Sequence, residues 1–419
     1  MANEGEEPRQ FSKGGKMSRF ARITRIIAFL RSEIPVEDIS ANPVVKHPHN
    51  TSRSIPERLS AEKIKELSVL EPARAFTATA EEWLGIFAAI ALCSYFWHPA
   101  LYPIAVIFIG ARQHALLILG HDASHYRYLP TRRQNDLFAN LFLMWPTFAS
   151  VEGFRKFHGT HHQYTNLPND GNRHIWQTHD AAGELAPDWK FPKTKAGLAL
   201  VLLRRALFLT GVFWIVRGLV GSFLIPSPNW MVAAKIAFYG SVAAVLTYFG
   251  AWHAFLLYWI VPYCTWHIAA QYMRLICEHS AVESDEEEYA ITRSTVPTWL
   301  ESIFILPRNV GYHIEHHWYP SVPWYRLPEL HQALMEREGF REHAVVGRSV
   351  VASLGECVET EREMKEAVRK PAQASSAFNS ARKGLAGYVP STVTSIEKKC
   401  SSSMASLTSR SSGWPSMSA

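Results

Sequence analysis

The chain is poor in cysteine, in charge and in the motifs that bind redox cofactors. Its five cysteines, Cys93, Cys264, Cys277, Cys357 and Cys400, are scattered, odd in number and never arranged as CxxC. That pattern argues against a disulfide framework and a thiolate metal or iron–sulfur site. Charged residues make up 19%, below the roughly 25% of soluble domains. No GxGxxG turn and no HPGG-type heme motif occurs, so electrons for any redox step come from outside the chain. The HExxH of many zinc hydrolases is missing too. The net charge of +6 raises the question of nucleic acid. The Lys and Arg, however, lie beside apolar blocks without a nucleic-acid module, which points to anionic lipid head groups instead.

What the chain does have is apolar and aromatic residues, 47% and 12% of the total, in long blocks between polar stretches. Residues 83 to 119 are mostly apolar and are interrupted by Pro99 and Pro103. They read as two membrane helices forming a hairpin. Arg112, Gln113 and His114 inside it are expected to face protein or a cavity rather than lipid. Residues 230 to 250 and 252 to 270 read as a second hairpin, with Lys235 snorkelling from one end and Pro262 kinking the last helix. The runs 137–149 and 206–216 are too short to span and read as interfacial or re-entrant. The hairpin tips lack Lys and Arg, whereas Arg127, Arg132, Arg133, Arg155, Lys156, Arg204, Arg205 and Arg274 lie on the other side. By the positive-inside rule that side is cytosolic.

The fold class is therefore all-α integral membrane, with four transmembrane helices in two hairpins. Residues 1–82 form a cytosolic N-terminal arm, with a basic amphipathic helix between Met17 and Arg31. Residues 83–345 form the membrane domain. Residues 346–419 form a C-terminal extension ending in a disordered tail.

Three histidine clusters carry the chemistry: HDASH with His121 and His125, HGTHH with His158, His161 and His162, and HIEHH with His313, His316 and His317. Residues i, i+3 and i+4 share one helix face. Two imidazoles at i, i+4 can grip one ion, and a third at i+3 can reach a neighbouring one. Imidazole suits Fe, Zn, Cu and Ni. At this histidine content, roughly 0.04 chance HxxHH matches are expected, and two are present. The first cluster follows one hairpin and the other two flank the second, so all three end on one membrane face. His279 in RLICEHS is a further candidate ligand. Asp122 is placed to orient an imidazole, as is Asn309 one turn before His313. Glu315 points away from the His313 and His317 face. His114, His174, His179, His253, His267 and His331 lack cluster partners and are assigned structural or solvent roles.

At these residues the chain resembles the membrane fatty-acid desaturase superfamily, which has an HxxxH or HxxxxH box followed by two HxxHH boxes. The run NVGYHIEHHWYPSVPWYRLPELH resembles the third box and its flank in bacterial acyl-lipid desaturases. The likeness covers roughly residues 80 to 340. It implies four membrane helices under a cytosolic helical cap that holds two iron ions in a histidine cage. The eight cluster histidines, with His279, are the ligands it implies. Some relatives place an Asn ligand one turn before the extra histidine, where this chain has Leu275. The implied reaction is oxygen-dependent removal of hydrogen from an unactivated C–H bond. The substrate is an acyl-lipid, acyl-CoA or other lipid. A ferredoxin, rubredoxin or small cytochrome is the electron donor, drawn to the basic face. The alternatives are a lipid or carotenoid hydroxylase or ketolase of the same superfamily, and a membrane metal-binding or transport protein.

Overall fold

A computed structural model of the chain describes residues 55–358. The amphipathic helix expected at Met17–Arg31 and the tail after residue 370 lie outside the described residues. Helices dominate, and side-chain caps fix where many of them begin. Ser60 accepts from the Lys63 amide and opens α1 (Ala61–Leu67). Pro72, whose missing N–H costs nothing in a first turn, opens α2 (Pro72–Tyr95). The chain reverses around Pro99 and returns as α3 (Leu101–Ser124), which packs along α2. Both helices are longer and start earlier or end later than the apolar run suggests. The HDASH box therefore occupies the last turn of α3 rather than following it.

Arg112, Gln113 and His114 face protein, as expected. Arg112 pairs with the fully buried Glu82 at 3.0 Å, Gln113 donates to the Trp259 carbonyl at 2.9 Å, and His114 is fully buried. Large apolar residues such as Leu84, Phe87, Leu92, Ile104, Ile236 and Val245 stay exposed on the outer faces. On helices of this length that pattern fits a lipid surround.

Next come α4 (Arg132–Ala139), capped by Thr131, and a π turn over Asn140–Met144. The 137–149 run is thus short and broken, consistent with its expected failure to span. Ser150 then starts α5 (Val151–Tyr164), and Asp170 starts α6 (Gly171–Ile175).

The 206–216 run belongs to something longer than expected. Thr194 starts α7 (Lys195–Ala206), and α8 (Phe208–Leu224) follows after a 55° bend. Arg217, Gly218 and Gly221 end the apolar run but do not end the helix.

α9 (Asn229–Tyr248) matches the first arm of the second hairpin. Lys235, however, does not snorkel outward. It is 1% exposed and donates to the Ser222 carbonyl at 2.5 Å, because α8 offers an unsatisfied C-terminal carbonyl nearer than water.

The second arm is a continuous helical run carrying two π turns rather than a single kink. It runs through α10 (Trp252–Phe255), π turns at Leu256–Ile260 and Tyr263–His267, and then α11 (Ile268–His279). Pro262, which has no N–H to give the ladder, lies in the two α-helical residues between the π turns. α11 carries on past residue 270 and ends on His279 itself. Among the described residues, three helices (α2, α3 and α9) are long and apolar enough to cross a membrane, or up to four if the bent α7–α8 pair counts as one.

The remaining elements cap one end. They are β1 (Ser294–Thr295), α12 (Trp299–Phe304), α13 (His313–Trp318), α14 (Leu327–Met335), α15 (Glu338–His343), β2 (Val346–Gly347) and α16 (Val350–Glu356). β1 and β2 run parallel, Ser294 opposite Val346 and Thr295 opposite Gly347. Residues 346–358, beyond the apolar pattern in the sequence, thus pack on this end, with Val350 and Cys357 buried.

Candidate metal centre

Four helices deliver nine imidazoles to one place. His121 lies on the last turn of α3 and His125 is its C-cap residue. α5 brings His158, His161 and His162, α11 ends in His279, and α13 brings His313, His316 and His317. The turn before α13 aims it. Arg308 and Asn309 take positive φ, and the Thr295 amide donates to the Gly311 carbonyl at 2.7 Å. A Cβ at Gly311 would fall 2.1 Å from the Thr295 carbonyl oxygen, so only glycine lets the turn lie against β1.

The nine rings form two groups. His121, His125, His158, His162 and His316 make one; His161, His279, His313 and His317 make the other. In each group the donor atoms lie within 4.8 Å of one another. The i, i+4 pairs stay together, whereas the i+3 residues His161 and His316 cross to the other group. Helical spacing permits that split, since i and i+4 can share one ion while i+3 reaches the next.

The spacing inside each group fits a metal. Two nitrogens about 2.1 Å from one ion and at right angles to each other are about 3.0 Å apart. His162 Nε2 lies 2.9 Å from both His158 Nε2 and His316 Nε2. His313 Nε2 lies 3.0 Å from His279 Nε2 and 3.2 Å from His317 Nε2. His161 Nε2 and His317 Nε2 are 3.2 Å apart. The buried His121 Nε2 and His125 Nε2 have no hydrogen-bond partner. Burial, and then the neighbouring imidazoles, hold His158, His162 and His316 well below the usual histidine range, and the same causes act on His317. These rings are neutral and offer lone pairs, as metal binding requires.

Carboxylates surround the rings. Asp170 is fully buried and accepts from His161 Nδ1 at 2.8 Å and from the amides of Asn166 and Asn172 at 2.7 Å. The sequence reading missed it, because Asn169-Asp170-Gly171 looks like a turn. The signal that could have found it is its N-cap position after the HGTHH helix. Asp122 Oδ1 sits 3.4 Å from His121 Nδ1, and its other oxygen accepts from the Trp324 amide. Glu315 does point away, into Ser294 and His331. His331 thus holds a structural partner and no place in either ring group. Asn309 donates to the Trp324 carbonyl rather than to an imidazole, so it braces the loop that holds Asp122. Leu275 packs in an apolar cluster with Trp176 and Trp189. Glu278, also missed, is 2% exposed beside His313. Burial pushes its carboxyl up to about 7.

A family model described as Fatty acid desaturase matches residues 95–348. Dihydrorhizobitoxine desaturase of Bradyrhizobium elkanii is 28% identical, over 68% of this chain and 83% of that protein. The sn-1 oleoyl-lipid 12-desaturase of Anabaena variabilis is 24% identical, over 57% and 70%. The sn-1 acyl-lipid omega-3 desaturase (ferredoxin) of a Nostoc strain is also 24% identical, over 60% and 71%.

Proposed function

The chain belongs to the fatty acid desaturase family, and from that premise we propose that it desaturates the acyl chain of a lipid at two iron ions held by its nine clustered histidines. It is an oxidoreductase of the desaturase type. The observation that carries the proposal is the division of the histidines into two groups with cis-ligand spacing. Two irons bound there would supply oxygen-dependent abstraction of hydrogen from an unactivated C–H bond, which no side chain can do.

The chain's own residues prepare that site. The Asp170 carboxylate at Nδ1 of His161 fixes the proton on that nitrogen and leaves Nε2 free. Burial of most of the rings keeps bulk water away. An apolar cavity of about 660 Å³, lined by Phe76, Trp83, Phe142, Trp145, Phe238 and Trp259 among others, suits a hydrocarbon chain.

In this reading α2, α3, α9 and the π-bulged segment 252–270 form four spans. The α7–α8 pair lies at the interface, and the centre faces the cytosol, as the arginine-rich side implies. The electron donor is a ferredoxin or another small carrier. A related protein named as ferredoxin-using supports that choice.

The test is lipid mass spectrometry on a host making the wild type or His161→Ala, each with a ferredoxin system. A lipid two mass units lighter, present with wild type and lost with the variant, is expected. A product sixteen units heavier would reassign the enzyme as a hydroxylase. No lipid product would remove the acyl-lipid assignment.

A further inference from the structure

The four helices do not serve the two histidine groups alike. α5 and α13 supply rings to both, α3 only to the five-ring group, and α11 only to the four-ring group, through His279. His279 is the last residue of α11, where backbone carbonyls run out of partners within the helix. That end must nevertheless be held where His279 Nε2 meets His313 Nε2, 3.0 Å away.

Four consecutive buried residues, Thr292 to Thr295, tie the end of α11 to the start of α13. Thr292 Oγ1 donates to the Glu278 carbonyl at 2.6 Å, and the Arg293 amide donates to the same oxygen at 2.9 Å. On the other side, Ser294 Oγ accepts from the Ile314 amide at 2.9 Å, next to the Thr295 bond to Gly311.

Arg293 does most at this junction. Its guanidinium is fully buried. Nη1 donates to the carbonyls of Cys277 at 2.7 Å and Ser280 at 3.1 Å, and Nη2 donates to the Ala281 carbonyl at 2.7 Å. Nη2 also pairs with Glu356 of α16 at 2.8 Å. One side chain thus grips the backbone on both sides of His279. The grip meets a need, because Ala281 takes a positive φ of 49°, a conformation that a residue with a Cβ holds only when its surroundings impose it. A buried guanidinium is costly unless its donors are used, and here they are used on this one turn. A planar fork reaches acceptors in several directions at once, which an ammonium group does not.

We propose that Arg293 is a positioning residue for His279: its guanidinium fixes the end of α11, and through it the ion of the four-ring group. The inference rests on the two-metal reading above. Since α11 serves that group alone, the effect of Arg293 is confined to one of the two ions.

The test uses purified wild type, Arg293→Met and Arg293→Lys, with iron titration and ⁵⁷Fe Mössbauer spectra. Wild type is expected to hold two irons giving two quadrupole doublets of similar area. Arg293→Met should keep one doublet unchanged and lose or broaden the other, with that ion held about 10–100-fold more weakly, the usual effect of removing a support of a ligating histidine. Arg293→Lys keeps the charge without the fork, and its second ion should remain weaker than in wild type. Two unaltered doublets in a folded Arg293→Met would overturn the proposal. So would equal weakening of both ions, the mark of a merely structural role, or a Lys variant identical to wild type, which would make charge the only contribution. If Arg293→Met does not fold, Arg293→Lys is read by the same criteria. Hydrogen exchange of the metal-free proteins separates this inference from the two-metal reading. Exchange at the end of α11 should rise in the variants, and unchanged exchange there refutes the positioning role whatever the metal content. Wild type holding no iron pair sinks the two-metal reading instead.

Discussion

Asp170→Asn isolates the contribution of a side chain that touches no metal. The carboxylate accepts three hydrogen bonds, from His161 Nδ1 and from the amides of Asn166 and Asn172, and it is fully buried. Asparagine has the same shape and is as good an N-cap as aspartate, so α6 keeps its start. Its amide, however, has only one oxygen. With its NH2 toward the Asn166 amide it keeps the ring and the cap, and with its NH2 toward His161 it loses both, because one oxygen serves both. Losing one charged-acceptor bond costs about 1.5–3 kcal/mol. Removing the partner of a ligating histidine typically weakens metal binding about 10–100-fold, which is about 1.4–2.8 kcal/mol. The two estimates agree. Competition with a coloured chelator should therefore show iron released from Asp170→Ala at about 10–100-fold lower chelator activity, with product formation reduced in step, and a smaller effect in Asp170→Asn, whose oxygen can stay on the His161 ring. Asp170→Ala should add the loss of the cap, about 1 kcal/mol, visible as a lower melting temperature. Wild-type iron affinity in Asp170→Ala would refute the idea that the carboxylate orients His161.

Two further predictions concern packing and pH. A Cβ at Gly211 would fall 2.2 Å from Cys264 Cα, whereas one at Gly221 meets nothing within 4 Å. Gly211→Ala should destabilise by roughly 1–3 kcal/mol or more, and Gly221→Ala should stabilise by about 0.5–1 kcal/mol; thermal melts in detergent that rank them the other way would contradict the packing of α8 on the second π turn. In the metal-free protein, burial holds the His125 imidazole down to about 4, against about 6.5 when unfolded. The unfolded chain then binds the extra proton as pH falls below 6.5. Stability is complete above that value and declines down to about pH 4, by roughly 3 kcal/mol from this ring alone. A melting temperature that stays flat across that window would show His125 to be solvated.

How much was legible depended on whether a feature is local. The ring pairs were legible because helical spacing is a property of five consecutive residues, and so was the crossing of His161 and His316 between groups. Asp170 was not, since its partner lies nine residues away across a turn. Glu278 stood in plain view beside His279. Only the approach of α13, however, gives its position meaning, and that approach is set by a glycine turn on a two-residue strand. Hydropathy located α9 well because that helix faces outward along its length. It failed at α8, where Arg217 ends the apolar run while the backbone continues. It also misjudged Lys235, which found a carbonyl on a neighbouring helix before it found water.

The two wide turns on either side of Pro262 set the phase of everything after them. An α-helix rotates by about 100° per residue, and a π turn accommodates one more residue than an α turn without advancing the axis as far. Between Trp252 and His279 the chain thus works as a counted cord, in which the number of residues, as much as their kind, decides which way the last side chain faces. Natural variation in this stretch is accordingly free to exchange one apolar residue for another. Outside the π turns it is not free to drop one, since a deletion there would swing His279 by more than a quarter of a revolution away from His313, whereas a π turn can absorb a deletion by closing to an α turn.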